Sequence, residues 1–243
     1  MISQQSANAI RDEVRDFYSY GMKSSNKAYV DVPRAVDYVA YDDPFERKWQ
    51  TWTTRMMAAK AANRNVNALV SRASAPDRPK NTSFYSWGKS IYNGGERSIF
   101  AAGNCVEMAA VAAALAIDRH HVPGHAVYLA SITRPGDHVF CVVSPKAPTW
   151  PNVMAMAPDA PVASGAFVID PWLNTACPGE DYKWAAFTKI GEWSRDGKRI
   201  AWSGVNGNAL GWWEPTGSYF DCFMHSELIF VSATFDPSLT GAG

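Results

Sequence analysis

The sequence predicts an α+β fold, and three observations carry that reading. An Ala-rich helix opens at Cys105. Behind it the apolar period changes from helical to alternating. The strand-like runs that result follow one another across Pro- and Gly-marked turns, which is the pattern of a helix followed by an antiparallel sheet.

The elements read in order. Residues 4–20 predict a helix, with Ile10, Val14 and Phe17 three or four apart. After the polar KSSNK, a long helix is predicted to begin at Asp43 as cap, with Pro44 at its first position, and to end near Ser71. Phe45, Trp49, Trp52, Met56, Val66 and Val70 fall close to one of its faces. APDRPKNTS, residues 75–83, reads as a linker. It divides a helical extension, 1–80, from a catalytic-looking domain, 81–243. The aromatic, Gly-Gly-interrupted stretch from Ser83 to Asn104 reads as a loop leading into the Cys105 helix. HAVYLASI (125–132), HVFCVVS (138–144) and AFVID (166–170) read as strands, the first two joined by the turn RPGD. KAPTWPNVMAMAPDAPVASG reads as a Pro-rich surface excursion. KRIAWSG, ALGWWE and SELIFVSATF are short strand-like pieces of the tail.

The totals narrow the function. In 243 residues, 23 basic side chains balance 23 acidic ones, so no global field marks a nucleic-acid or membrane-surface binder. The N-terminus has no basic head followed by an apolar run, and no uncharged apolar stretch reaches about 18 residues. Neither a signal peptide nor a membrane span is expected. Cys105, Cys141, Cys177 and Cys222 are scattered singly, which suits neither a disulfide framework nor a metal cluster. Reduced thiols in the cytoplasm, or export by a route without a signal peptide, both fit. His120, His121 and His125 invite a zinc reading, but Pro123 and Gly124 interrupt any helix that would align them. No metal and no cofactor are expected.

Three residues stand out from this background. Cys105 lies where a turn-prone Gly103-Asn104 gives way to the helix AAVAAALAI. Free N–H groups and the helix dipole stabilise an anion there, and the thiolate is the reactive form of cysteine. His138 stands at the mouth of the strand HVFCVV, and Asp170 ends FVID. A carboxylate at the end of an apolar strand is costly unless something pairs with it. A cysteine nucleophile needs a base, and the base gains from a group that fixes its tautomer. Roughly thirty residues separate each member from the next, so adjacent strands can bring them together.

GNCVEMA, GDHVFCVV and FVIDPW, in that order, resemble the core of the transglutaminase-like branch of the papain-like fold. The likeness covers residues 100–175. It implies that Cys105 is the nucleophile, His138 the base and Asp170 the orienting acid. It also implies a thiol acyl-transfer enzyme acting on protein amide groups, of the glutamine deamidase or transglutaminase kind, such as occurs among bacterial effectors and toxins. A cysteine peptidase of papain-like fold is the alternative. Papain-type proteases carry a glutamine about six residues before the cysteine, where this chain has Ile99. A non-catalytic binding module using the Trp-rich tail is a third reading. Asn104 and, more weakly, Asn93 are candidate oxyanion donors, and Trp172 is a candidate wall of the site. The partner implied is a protein substrate, with a secretion chaperone or an immunity protein beside it and no nucleic acid. Of the ten tryptophans, six lie between 172 and 213. They read first as anchors of a small sheet's core.

Overall fold

The computed structural model describes residues 2–18, 27–29, 82–94, 105–157, 165–202 and 211–235. Among them are five α-helices and two antiparallel sheets, an α+β architecture. The helix predicted from Asp43 to Ser71 lies outside the described residues.

Helix α1, Gln4–Phe17, forms as its pattern demands. Ser3 caps it by accepting from the Ser6 N–H, and Ala7, Ile10, Val14 and Phe17 line its buried face. That face belongs to the same core as the main sheet. Gln4 donates from Nε2 to the Ala176 carbonyl at 2.8 Å, and Arg15 donates to the Pro171 carbonyl at 3.0 Å. Strand β1 is Lys27–Tyr29.

The stretch read as a loop holds a helix instead: α2, Phe84–Gly94. Its start is legible in retrospect, since the Ser83 hydroxyl accepts from the Ser86 N–H at 3.1 Å. Phe84 and Ile91 pack against the core from one side of it. Gly94 is the last residue of this helix, so it closes the helix rather than breaking it. Helix α3, Cys105–Asp118, is the predicted Ala-rich helix. Every residue from Met108 to Ala116 is buried, so α3 is apolar all round and runs through the centre of the molecule. Small side chains let its neighbours come close. A Cβ on Gly88 of α2 would overlap the Ala110 carbonyl and lie 2.9 Å from the Val111 nitrogen.

This contact sets a first prediction. Gly88→Ala gains about 1 kcal/mol of helix propensity. It also forces two helix backbones apart, and overpacking of that kind costs about 1–3 kcal/mol or more. Backbone cannot rotate away, so the clash wins. The variant is expected to melt below the parent in a thermal denaturation; a raised Tm would contradict the contact.

The main sheet has the order β5-β4-β3-β2-β8, antiparallel throughout. Its strands are β2 Val127–Ile132, β3 His138–Val143, β4 Phe167–Asp170, β5 Thr175–Pro178 and β8 Leu228–Ser232. The three strands expected in this region thus exist, with the 125–132 strand beginning two residues late, after a 3-10 turn at Gly124–Ala126. A smaller sheet pairs β1, β6 (Lys198–Trp202) and β7 (Gly211–Trp213). The tail was read as strands alone, but it also carries α4, Tyr182–Arg195, and α5, Ser218–His225. Nor is the Pro-rich excursion purely superficial: Trp150, Val153 and Met156 are buried. No helix among the described residues is long and apolar enough to cross a membrane.

Candidate active site

Register explains how His138 and Asp170 meet. Cys141 pairs with Ile169 across β3 and β4. Continuing the ladder sets Phe140 opposite Asp170. His138 lies two residues before Phe140, so on an alternating strand it shares the face of Asp170 and is its diagonal neighbour. Asp137 takes a positive φ of 42° and turns the chain into the strand there. The His138 Nε2 lies 2.8 Å from the Asp170 Oδ2.

Asp170 is fully buried and surrounded by donors. Tyr182 donates its phenol O–H to Oδ2 at 2.8 Å, and the Leu173 N–H donates to Oδ1 at 3.0 Å. Burial alone works against the charge. The His138 cation and these hydrogen bonds outweigh it and hold the carboxyl below its ordinary value. The same balance acts on His138. Burial disfavours its cation, but the charge and hydrogen bond of Asp170, followed by those of Cys105, push it up to about 10.

The ring sits among aromatics. Its centroid is 4.9 Å from Trp172, 5.3 Å from Phe223 and 6.0 Å from Phe140. Trp172 in turn meets Trp193 edge-on at 5.1 Å, and Phe140 packs on Tyr182 at 4.7 Å. Water is largely excluded: His138 is 1% exposed and Asp170 0%. With Nε2 taken by Asp170, Nδ1 is the nitrogen left for the sulfur. It makes no aligned hydrogen bond, although Cys105 is close enough to act on the ring.

Cys105 begins α3 and is 9% exposed, the least enclosed of the three. Glu107 supplies a carboxylate in the same first turn. The other thiols lie in environments that suppress the thiolate. Burial pushes Cys141 up to about 12, burial with nearby carboxylates does the same to Cys177, and Cys222 is raised as well.

The structure therefore brings Cys105, His138 and Asp170 together and puts Trp172 against the imidazole. Asn93 is exposed in the last turn of α2, and Asn104 lies outside the described residues. Tyr182, Phe140, Phe223 and Tyr219 belong to the site's surroundings and were not singled out in the sequence. Only Phe140 had a local signal, two residues along the His138 strand. His120, His121 and His125 line a separate cavity of about 230 Å³. It lies beyond the C-terminal end of α3, about 20 Å of helix away from Cys105. Among the described residues no cluster of three or more His, Cys, Asp or Glu is placed to hold a metal ion. No protein-family model, curated protein or solved structure matches the chain.

Proposed function

We propose that the protein is a thiol acyl-transfer enzyme acting on protein amide groups. The preferred chemistry is that of a glutamine deamidase or transglutaminase, on a papain-like, transglutaminase-like core. One observation carries this reading: a buried imidazole fixed by Asp170 on one nitrogen has Cys105 close enough to act on its ring. A merely structural histidine needs no thiol at a helix N-terminus beside it.

In the reaction, the Cys105 thiolate attacks the amide carbonyl and the carbonyl π pair moves onto oxygen. Collapse of that intermediate breaks the C–N bond, and the leaving nitrogen takes the proton from His138 Nδ1. Water, deprotonated by the now neutral His138, releases the acid and restores the thiol; a lysine amine in its place gives a cross-link. The choice of a protein amide as substrate rests on the likeness of GNCVEMA, GDHVFCVV and FVIDPW, and so does the setting of a bacterial effector.

Two measurements test the reading. Iodoacetamide at about pH 6 should alkylate Cys105 ahead of the other three cysteines, because His138 is held beside this sulfur while burial and nearby carboxylates oppose the thiolate at the others. Equal labelling, or labelling first at Cys222, would sink the nucleophile assignment. Intact-mass spectrometry of cellular proteins incubated with the enzyme should then find a gain of about 1 Da on a substrate, the mark of amide hydrolysis to acid. Fragments instead of that gain would move the protein to the peptidase reading.

A further inference from the structure

Two of the side chains that meet the His138 ring flank a single residue. Asp170 takes its Nε2 at 2.8 Å, the Trp172 ring centroid lies 4.9 Å from its own, and Pro171 stands between the two. We propose that Arg15 of α1 is a positioning residue: by gripping the Pro171 carbonyl it sets Asp170 and Trp172 against the imidazole, and it makes the N-terminal helix part of the working site. The inference rests on the acyl-transfer reading and adds to it a residue from outside the stretch 81–243.

The turn shows why that carbonyl matters. Asp170 ends β4, and the chain reverses over 171–174 before β5 begins. Two hydrogen bonds tie the reversal. The Leu173 N–H donates to the Asp170 Oδ1 at 3.0 Å, and the Asn174 N–H donates to the Pro171 carbonyl at 3.2 Å. Asn174 closes it with a φ of 60°, a region that asparagine tolerates better than most residues. A carbonyl oxygen has a second lone pair. Arg15 fills it, donating from Nη1 at 3.0 Å. A rotation of the 171–172 peptide would move Trp172 directly and, through the Leu173 N–H, disturb the Asp170 carboxylate. Arg15 holds the oxygen of that peptide.

The arginine is also placed to hold firmly. A cation in the last turn of a helix complements the dipole without leaving the surface. Arg11, one turn earlier, stays local and pairs with its neighbour Asp12 at 2.8 Å. Arg15 instead reaches across to the hairpin of β4 and β5. Its base is fixed, because Ala7, Ile10, Val14 and Phe17 of the same helix are buried in the core. At the other end of α1, Gln4 donates to the Ala176 carbonyl of β5 at 2.8 Å. The helix therefore grips the hairpin at the turn and again beyond it. The charges that act on the guanidinium are Arg11 and Asp12 on its own helix and Asp170 across the turn.

This arrangement gives Arg15 two opposite effects on His138. Directly, one cation opposes another, so loss of the charge alone raises the imidazole. Through the turn, Arg15 keeps the Asp170 carboxylate where it raises the imidazole, so loss of the grip lowers it. The direction of the change tells positioning from plain electrostatics.

Two variants and two measurements test the proposal. Arg15→Met keeps the stem and its packing but removes the charge and the donors. Arg15→Lys keeps a charged donor without the fork. In Arg15→Met the acylation of Cys105 by p-nitrophenyl acetate should fall about 10²-fold, the cost of a misplacement of about 1 Å. NMR titration of the His138 ring, near 10 in the parent, should show a midpoint about one pH unit lower. Arg15→Lys should lie between parent and Arg15→Met on both measures, and it carries the test alone should Arg15→Met not fold. A ring that titrates higher than in the parent means that Arg15 acts by charge alone, and the proposal is wrong. An unmoved ring, or an unchanged acylation rate, makes Arg15 only an anchor of α1 and overturns it as well. If the unaltered protein is not acylated at Cys105 at all, the acyl-transfer reading fails, while the ring titration still decides whether Arg15 sets the Asp170–His138 pair.

Discussion

Cys105→Ala is expected to lose acyl transfer to the background level while its thermal melt stays close to that of the parent. The two halves have separate causes. On the proposed reading, losing the covalent nucleophile from an intact site costs on the order of 10⁶ in rate, because His138 cannot replace the sulfur. The substitution removes one atom from a side chain already at the edge of the core, 9% exposed. A deletion of that size costs on the order of 1 kcal/mol. The remaining thiols offer no rescue, since Cys141 and Cys177 are raised to about 12 and Cys222 also upward. Acylation by p-nitrophenyl acetate and a thermal melt on the same sample check both halves. Retained turnover would remove Cys105 from the mechanism. A collapsed melt would make it a core residue and nothing more.

The sequence made the three candidate residues legible because each sits at a local boundary. Cys105 stands where a turn meets an apolar helix, His138 where a turn meets a strand, and Asp170 where a strand meets proline. Such changes of period are visible in one dimension. What was not legible depends on contacts made across the fold. Tyr182 holds Asp170 only because α4 starts beside the end of β4. Phe223 meets the His138 ring only because α5 lies on the turn before His138. In the tail, aromatic residues with strand preference masked two helices. Trp184 and Phe187 are exposed on α4, which blurs the apolar stripe of Tyr182, Ala186, Ile190 and Trp193 that would otherwise mark a helix. The α2 helix was hidden by the Gly-Gly pair, which reads as an interruption of the whole stretch, while the role of Gly88, which lets α2 touch the α3 backbone, is a contact across the fold.

Asp170→Ala should destabilise the protein more than any other single change in the site. It strands three partners at once: His138 Nε2, the Tyr182 phenol and the Leu173 N–H. Breaking a buried ion pair from one side costs about 3–5 kcal/mol, which for a chain of this size corresponds to a Tm fall on the order of 10 °C. Asp170→Asn isolates the charge, because the amide oxygen still accepts from the Leu173 N–H and the shape is kept. Its activity is expected to fall on the order of 10⁴, since an amide neither fixes the imidazole tautomer nor steadies its cation. The pH dependence gives the sharper test. His138 is raised from 6.5 to about 10, so its share of stability is complete below 6.5 and disappears as pH rises through about 10. Asp170 is lowered from 3.8, so its share is complete above 3.8 and disappears as pH falls through the lower folded value. The stability gap between parent and Asp170→Asn is therefore expected to be widest between 3.8 and 6.5 and to narrow on both sides. Paired denaturant titrations across that range measure it. A gap that stays flat from acid to alkali would mean that the pair is neutral in the folded protein. The imidazolium that the proposed role of Cys105 requires would then not be there.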